Sequence, residues 1–159
     1  MLQCKHIVTP SHDAGCAGAD QRTLHCCQVM YFKGGGWCFD GRSCADRATG
    51  ELGGTGGLPY KLSYTWDKSS GPLHPNATLN PTFANYHRVQ LWYCDGASFA
   101  GSVSHTVANT TSNGTLVNLH FRGQEVLNAL LAKLKQTGYG LGRAENVLVT
   151  GCSAGGMAT

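Results

Sequence analysis

Residues 146–159 read NVLVTGCSAGGMAT, and this stretch decides the fold. Val147–Thr150 is a short run of β-branched and apolar residues, which predicts a buried strand. The next five residues, GCSAG, match the pattern G-x-S-x-G, which is typical of a nucleophile elbow, a sharp strand-to-helix turn that exposes a serine hydroxyl. The sequence therefore predicts Ser153 as a nucleophile. An ordinary strand–helix turn with an unreactive serine is the alternative.

The spacing of the glycines around Ser153 has a physical reason. A serine in such a turn adopts a strained backbone conformation. The strand and the helix also pass so close together that the positions two before and two after the serine have little room for side chains. Gly151 and Gly155 meet this requirement. The backbone N–H of Ala154 opens the following helix, so we expect it to donate a hydrogen bond to an oxyanion.

A second glycine-rich segment follows an earlier strand. Gln28–Phe32 (QVMYF) is predicted to be a strand, and it leads directly into Lys33–Cys38 (KGGGWC). Three consecutive glycines free the backbone to point successive N–H groups at one spot. Alone, this pattern indicates a flexible turn. Paired with the elbow, it predicts the other half of an oxyanion hole, with Gly35 and Gly36 as donors. We interpret Trp37 as core packing in preference to a pocket wall.

The remaining elements predict a parallel sheet covered by a helix. Val89–Tyr93 is the next predicted strand, and Asp95 beyond it is expected to cap a turn in preference to a catalytic role. His87 is placed on a loop. Phe121–Gln136 is predicted to be an amphipathic helix whose apolar stripe is formed by Leu127, Leu130, Leu131 and Leu134. The order strand, strand, helix, strand, elbow indicates an α/β fold with a mostly parallel sheet.

Composition and charge exclude several classes of protein. The 159 residues are 42% hydrophobic and 13% charged, as in a globular domain. Twelve Lys and Arg against nine Asp and Glu give a net charge of +3, too small to indicate a nucleic-acid partner or an anionic membrane. No apolar run approaches the roughly 18–20 residues needed to span a bilayer. The segment 41–82 is rich in glycine and proline and predicts long loops, which in a hydrolase commonly form a lid or a substrate cleft.

Eight cysteines and three N-glycosylation triplets favour a secreted or luminal protein. The triplets begin at Asn76, Asn109 and Asn113. Cys38 and Cys44 lie six residues apart across a loop and can close a local disulfide. Cys94 needs a distant partner, for which the candidates are Cys4, Cys16, Cys26 and Cys27. Cys152 is expected to be a small buried free thiol.

Four motifs occur in order along the chain: KGGGWC, YCDGASF, LHFRG and TGCSAGG, at Lys33–Cys38, Tyr93–Phe99, Leu119–Gly123 and Thr150–Gly156. Together they resemble the plant-type pectin acetylesterases, which share an α/β-hydrolase-like fold with the Notum carboxylesterases. The resemblance covers residues 28–159, which are interpreted as the N-terminal part of a single esterase domain. Residues 1–27 are predicted to form an irregular segment before it.

The resemblance implies a serine esterase, secreted to the cell wall, that removes acetyl groups from pectin and requires neither a metal nor an organic cofactor. It implies Ser153 as the nucleophile, and the amides of Gly35, Gly36 and Ala154 as the oxyanion hole. One departure is Lys33, where members of the family usually carry Glu.

The resemblance also implies two disulfides. The first is Cys38–Cys44, and the second joins Cys94 to an N-terminal cysteine. The first ~25 residues differ from the family's mature N-terminus, and we choose Cys16 as the partner. No apolar core of signal-peptide length occurs at the N-terminus, so we expect the true start of the protein to be absent or misassigned. The full-length protein is expected to be a monomer.

The position of Ser153 near the end of the chain shapes the expected activity. In α/β-hydrolases the triad runs Ser, then Asp or Glu, then His, and only six residues follow Ser153. We therefore expect a sheet truncated after the elbow, with the acid and the base outside these 159 residues. The chain alone is expected to be inactive or nearly so, because an unassisted serine hydroxyl is a poor nucleophile. An exposed apolar sheet edge, with aggregation, is also expected.

Two other functions stay open. One is a Notum-like esterase that removes a fatty acyl group from a protein, which needs a deep apolar pocket. The other is a catalytically inactive carbohydrate-binding fragment. Few aliphatic residues occur in the loop 41–82, which favours the open cleft that an acetylated polysaccharide requires.

Overall fold

A computed structural model describes residues 27–50, 52–54, 71–136 and 140–159, and the structural statements here concern those residues. They form a parallel sheet, an antiparallel hairpin, three helices and two short 3-10 turns. The strands are β1 (Cys27–Phe32), β2 (His87–Leu91), β3 (Val107–Thr110), β4 (Leu116–Leu119) and β5 (Asn146–Gly151). The helices are α1 (Gly41–Ala48), α2 (Gly123–Leu134) and α3 (Ala154–Met157), and the 3-10 turns are Gly71–Leu73 and Leu141–Arg143.

The predicted irregular segment 1–27 lies outside the described residues, except that Cys27 already belongs to β1. Much of the predicted loop at 41–82 lies outside them too, namely residues 51 and 55–70. No helix in the described ranges is both long and apolar enough to cross a bilayer.

β1 is the central strand of the parallel sheet, whose order is β2-β1-β5. Phe32 at the end of β1 pairs with Leu91 of β2 on one side and with Gly151 of β5 on the other. The three strands are parallel, so their carboxyl ends lie at the same end of the sheet. The glycine loop after β1 and the elbow after β5 both begin at that end. The prediction of an α/β fold with a mostly parallel sheet is confirmed.

One face of this sheet packs against α2, as the apolar stripe of the helix predicts. The buried cluster combines residues from the sheet and the helix, among them Met30, Phe32, Val89, Leu91, Leu130 and Leu134. Leu127 and Leu131 pack against its margin. The helix is two residues shorter at each end than the predicted Phe121–Gln136. At its start the reason is local, because the carbonyl of Phe121 accepts a hydrogen bond from the N–H of Val103 in the preceding loop.

β2 begins two residues earlier than the predicted strand Val89–Tyr93. His87 is therefore a buried strand residue, and its placement on a loop was wrong. Leu91 is the last residue of β2 to pair with β1, and its carbonyl then accepts a hydrogen bond from the N–H of Lys33. Tyr93 leaves the sheet and packs its ring edge-on against Phe99 in the core, with the ring centroids 6.0 Å apart.

The sequence did not predict α1, which lies in the segment assigned to loops. Asp40 caps this helix, because its carboxylate accepts a hydrogen bond of 2.6 Å from the N–H of Ser43. The Ser43 hydroxyl accepts one in return from the N–H of Asp40, which completes a capping box. The contact with the Ser43 amide also lowers the pKa of Asp40. Only Cys44 and Ala45 are buried, so the helix has no apolar stripe that periodicity could have detected.

The sequence also did not predict the hairpin of β3 and β4. Val107 pairs with Leu119 at its open end, and the turn contains Asn113 and Gly114, which has a φ of 87°. Such an Asn-Gly pair between two short apolar segments is a hairpin signal that sequence inspection can use. The N–H of Ser112 in this turn donates to the Asp46 carboxylate at 2.7 Å, which ties the hairpin to α1.

β5 forms an edge of the sheet in the described part of the chain. Val147 and Val149 are 41% and 48% exposed, so the prediction of a buried strand was wrong although the strand itself is present. β5 is the outer strand of this sheet, and Val147 and Val149, two residues apart, point to the same face of it, where little of the described chain covers them. The exposed apolar edge expected from the sequence is therefore present in these residues.

Candidate active site

Ser153 lies in the turn between β5 and α3. Its backbone has a φ of 53° and a ψ of −126°, a left-handed conformation that residues with a side chain rarely adopt. Such a conformation costs on the order of 1–3 kcal/mol and persists only where the surroundings enforce it. The side chain is exposed. This is the strained, outward-facing serine that the sequence predicts for a nucleophile elbow.

Gly151 and Gly155 allow this turn to form. A Cβ atom at Gly151 would lie 2.5 Å from the carbonyl carbon of Gly155. A Cβ atom at Gly155 would lie 2.1 Å from the carbonyl oxygen of Phe32. Gly156 has more room, since its Cβ would stop 3.3 Å from the nearest backbone oxygen. The elbow therefore packs backbone against backbone on β1, and glycine is required at positions 151 and 155.

The glycine loop lies beside the elbow. The N–H of Cys152 donates to the carbonyl of Phe32 at 3.3 Å, at the point where the loop leaves β1. A Cβ atom at Gly34 would lie 2.6 Å from the carbonyl oxygen of Cys152 and 3.1 Å from the Cβ of Ser153. The first loop glycine is therefore adjacent to the serine, and Gly35, the first predicted donor, directly follows it.

The amides predicted to bind an oxyanion have no acceptor among the described residues. In the part of the chain that the structure describes, the N–H groups of Gly35, Gly36 and Ala154 form no hydrogen bond. A backbone N–H requires a partner, and water or a ligand can fill that role here. These three amides are therefore available as donors. Their assignment to an oxyanion hole stays a prediction.

The far end of the glycine loop is fixed covalently. The predicted Cys38–Cys44 disulfide is present and ties the loop to α1. The N–H of Cys38 also donates to the carbonyl of Gly96 at 3.0 Å. Cys94 is disulfide-bonded as well, and its partner lies outside the described residues. Cys27 forms no disulfide and is excluded as that partner, while the choice of Cys16 stays a prediction.

Cys152 is a free thiol, as predicted, but it is exposed rather than buried. It occupies the turn itself, where the chain projects from the sheet. Trp37 was also placed wrongly, since its side chain is 42% exposed and is not a core residue. Its indole N–H donates to the Ser98 hydroxyl at 2.6 Å, which fixes the ring beside the glycine loop.

Asp95 organises the loop that follows β2, as the sequence predicts. Its buried carboxylate accepts hydrogen bonds of 3.2, 3.1 and 3.0 Å from the backbone N–H groups of Ala97, Phe99 and Gly101. Ser98 and Phe99 both have positive φ, so this carboxylate stabilises an unusual local backbone. The three contacts occupy both oxygens, which indicates a structural role.

Among the described residues, no general base contacts Ser153. Within residues 27–50, 52–54, 71–136 and 140–159, no side chain forms a hydrogen bond with its hydroxyl. In the same ranges, no group of three or more His, Cys, Asp or Glu residues could hold a metal ion. The expectation that the acid and the base of the triad lie outside these 159 residues stays a prediction.

The three glycosylation triplets differ in their surroundings. Asn76 and Asn113 are exposed, and Asn76 Oδ1 accepts a hydrogen bond of 2.8 Å from the N–H of Thr78. Asn109 is half-buried, and a Cβ atom at Gly41 would lie 1.9 Å from its Nδ2, the atom that carries a glycan. A glycan there is incompatible with the packing of β3 on α1.

We therefore expect folded protein from a secretory host to carry glycans at Asn76 and Asn113 and none at Asn109. The measurement is mass spectrometry of the peptides after enzymatic deglycosylation in heavy-oxygen water, which marks each occupied site. Asn109→Gln should leave the glycan mass unchanged, while Asn76→Gln should remove one glycan. A marked Asn109 in soluble, folded protein would contradict this packing.

Comparison with known proteins agrees with these elements. The pectinacetylesterase family model matches residues 25–159. Pectin acetylesterase 5 and pectin acetylesterase 4 of Arabidopsis thaliana are each 35% identical over 131 residues, which are 82% of this chain and 28% and 29% of those proteins. The palmitoleoyl-protein carboxylesterase NOTUM of Drosophila melanogaster is 28% identical over 133 residues, which are 81% of this chain and 18% of that protein.

A solved structure shows the same fold. The Wnt deacylase Notum from Drosophila superposes with a TM-score of 0.63 at 23% identity, covering 97% of this chain and 45% of that chain. The fold is accordingly α/β-hydrolase-like. The chain spans less than a third of the length of the pectin acetylesterases named above. Since the family model covers most of the sequence, including the glycine loop and the elbow, this chain belongs to the pectinacetylesterase family.

Proposed function

We propose that this chain carries the nucleophile and the oxyanion hole of a serine carboxylesterase. The observation that carries the proposal is the elbow, in which an exposed serine is held at a φ of 53° beside a loop of three glycines. The unpaired amides of that loop and of Ala154 support it, because an oxyanion hole needs preorganised donors. Membership of the pectinacetylesterase family supports ester hydrolysis as the chemistry.

In the proposed reaction a histidine base takes the proton of Ser153, and Oγ attacks the carbonyl carbon of the ester. The carbonyl oxygen becomes an oxyanion, which the N–H groups of Gly35, Gly36 and Ala154 stabilise. The alcohol leaves with a proton from the base, and water then hydrolyses the acyl-enzyme to release the carboxylic acid. The histidine and its acidic partner are proposed to belong to the whole protein beyond residue 159. The reaction requires no cofactor.

The proposed substrate is an acetylated polysaccharide, namely pectin, and the whole protein is proposed to be a secreted monomer that acts at the cell wall. The names and the identity of the relatives support this substrate. Two relatives at 35% identity are pectin acetylesterases, whereas the relative whose name refers to a palmitoleoyl-protein is 28% identical. Rates on acetylated pectin and on a 4-nitrophenyl ester of a long fatty acid would separate the two substrates.

Ser153→Ala is expected to abolish activity, since losing a triad nucleophile costs about 10⁴- to 10⁶-fold in kcat. The measurements are hydrolysis of 4-nitrophenyl acetate and covalent labelling by a fluorophosphonate. Both are run on the 159-residue chain and on the longest protein that its gene encodes. We expect Ser153-dependent activity in the longer protein and little in the chain alone. Ser102→Ala, which changes an exposed serine away from the elbow, is the matched control.

The outcomes separate the alternatives. Labelling that persists in Ser153→Ala would overturn the assignment of the nucleophile. If the 159-residue chain hydrolyses the ester at a rate near that of ordinary esterases, and the rate depends on Ser153, the expectation that its base lies elsewhere is overturned. If the longer protein shows neither labelling nor turnover, the carbohydrate-binding alternative remains. A measurement of binding to pectin tests that alternative directly.

A further inference from the structure

Two side chains hold the carbonyl groups of the glycine loop. Nη1 of Arg47 donates to the carbonyl oxygen of Gly35 at 2.8 Å. The hydroxyl of Tyr93 donates to the carbonyl oxygen of Gly36 at 2.5 Å. The guanidinium carbon of Arg47 also lies 5.5 Å from the centroid of the Tyr93 ring, so the two side chains support each other. We call Arg47 and Tyr93 the carbonyl clamp.

The clamp determines the direction of an amide on the other side of the loop. In a planar trans peptide the C=O group and the following N–H group point in opposite directions. The described residues contain no cis peptide bond. Because Arg47 holds the carbonyl of Gly35, the N–H of Gly36 must point away from Arg47. In the Gly35–Gly36 peptide, the carbonyl oxygen is therefore bonded to Arg47, and the N–H group is available to a ligand.

A loop of glycines requires such a constraint. Glycine adopts positive and negative φ with similar ease, so the peptide planes between successive glycines can rotate at little cost. Gly36 has a φ of 66°, and a Cβ atom there would meet nothing within 4 Å, so its own packing does not fix its orientation. The hydrogen bonds of the clamp are the contacts that select one orientation.

A contribution to folding stability does not by itself explain why the guanidinium of Arg47 is buried. Its Nε and Nη2 atoms are buried and have no hydrogen-bond partner. No carboxylate in the described part of the chain pairs with its guanidinium. A buried polar group without a partner is unfavourable for folding. The burial of these atoms is explained if the hydrogen bond from the Arg47 side chain to the carbonyl of Gly35 serves the site.

The clamp is mounted on elements that are themselves fixed. Arg47 lies in the last turn of α1, which the Cys38–Cys44 disulfide attaches to the end of the same loop. Tyr93 is buried two residues after β2, and its ring packs in the core against Phe99.

We propose that Arg47 and Tyr93 are positioning residues for the oxyanion site. Arg47 orients the amide of Gly36 through the Gly35 carbonyl, and Tyr93 fixes the next peptide, Gly36–Trp37, and so holds the backbone on the other side of Gly36. The inference rests on the proposed esterase function and adds two residues that act through the loop rather than on the substrate. Neither touches the reacting atoms. Their effect should therefore appear in the stabilisation of the transition state and not in substrate binding.

The kinetic test uses the longest protein that the gene encodes. Tyr93→Phe keeps the ring and removes only the hydroxyl, and Arg47→Met keeps the stem and removes the donors. We expect each to lower kcat about 10-fold, and the double variant about 10²-fold, the loss typical of one oxyanion donor. KM on 4-nitrophenyl acetate should change less than about 2-fold. Arg47→Lys should recover part of the loss, since an ammonium can donate to the same carbonyl.

Arg42→Met is the matched control, because Arg42 lies on the same helix with its side chain exposed. Urea unfolding of every variant shows whether a kinetic loss follows loss of fold. A double variant with parental kcat would overturn the clamp while leaving the esterase intact. If Arg42→Met lowers kcat as much as the clamp variants do, the clamp is also overturned and the esterase function is not.

A second measurement tests the carbonyl clamp without relying on catalysis. It applies even if the parent protein has no Ser153-dependent activity, a result that would overturn the proposed function and not the clamp. The ¹⁵N-labelled amide of Gly36 should give one sharp NMR signal in the parent. In the double variant it should shift and broaden, because the peptide plane then samples more than one orientation. An unchanged Gly36 signal in the double variant would overturn the clamp.

Discussion

Gly155→Ala is expected to destroy the elbow. The new Cβ would lie 2.1 Å from the carbonyl oxygen of Phe32 and 2.7 Å from that of Lys33. Both oxygens belong to backbone at the end of the central strand, where Phe32 pairs with two neighbouring strands. The Phe32 carbonyl also accepts a hydrogen bond from the N–H of Cys152, so it cannot move without disturbing the turn itself. We expect a loss of about 3 kcal/mol or more in the free energy of unfolding, measured by urea denaturation.

The neighbouring glycine provides the control. At Gly156 an added Cβ would lie 3.3 Å from the carbonyl oxygen of Gly151, which a small shift relieves. Alanine is also favoured over glycine within a helix by about 1 kcal/mol. We therefore expect Gly156→Ala to change the free energy of unfolding by less than about 1 kcal/mol. Equal losses at Gly155 and Gly156 would show that the clash at Phe32 does not govern the turn.

Asp95→Ala is expected to have the second large effect. The substitution removes a buried carboxylate and leaves the N–H groups of Ala97, Phe99 and Gly101 without their acceptor. Each unsatisfied buried donor costs about 1–3 kcal/mol, and bonds to a charged acceptor are the stronger kind. The loop also positions Phe99 in the core. We expect a loss of about 3–5 kcal/mol, visible in urea unfolding and in the near-ultraviolet circular dichroism of the packed aromatic rings.

Asp95→Asn separates the hydrogen bonds from the size of the side chain. An amide keeps one acceptor oxygen, which can still serve Ala97 and Phe99, and replaces the other with a donor that faces the N–H of Gly101. We expect it to lose about 1–2 kcal/mol, less than the alanine variant. If Asp95→Ala unfolds at the same urea concentration as the parent, the carboxylate does not organise this loop.

The elbow was predictable because its requirements are local. Gly151, Ser153 and Gly155 are close in sequence, and their spacing follows from steric contact between a strand and the helix that follows it. The apolar stripe of α2 was predictable for a similar reason, since periodicity in one segment reports one buried face. The parallel sheet then followed from the order of the elements.

Features that depend on distant partners were not predictable. α1 has almost no apolar pattern, and its stability comes from the Asp40 cap and the disulfide to the glycine loop. The burial of His87 depends on its pairing with Gln28 of β1. The contact of Arg47 with the glycine loop was not predictable, because an arginine in a polar segment resembles any solvated residue until the carbonyl that it contacts is known.

The pairing of β1 with β5 has a consequence for how this protein folds. Asn146 and Cys27, which lie side by side at the start of the two strands, are 119 positions apart in the chain. During synthesis, β1 therefore emerges long before the neighbour with which it pairs. Pairings of such high contact order form slowly and leave apolar strands exposed in the meantime. The elbow packs on β1 at Gly155, so it can take its final shape only after this long-range pairing has formed.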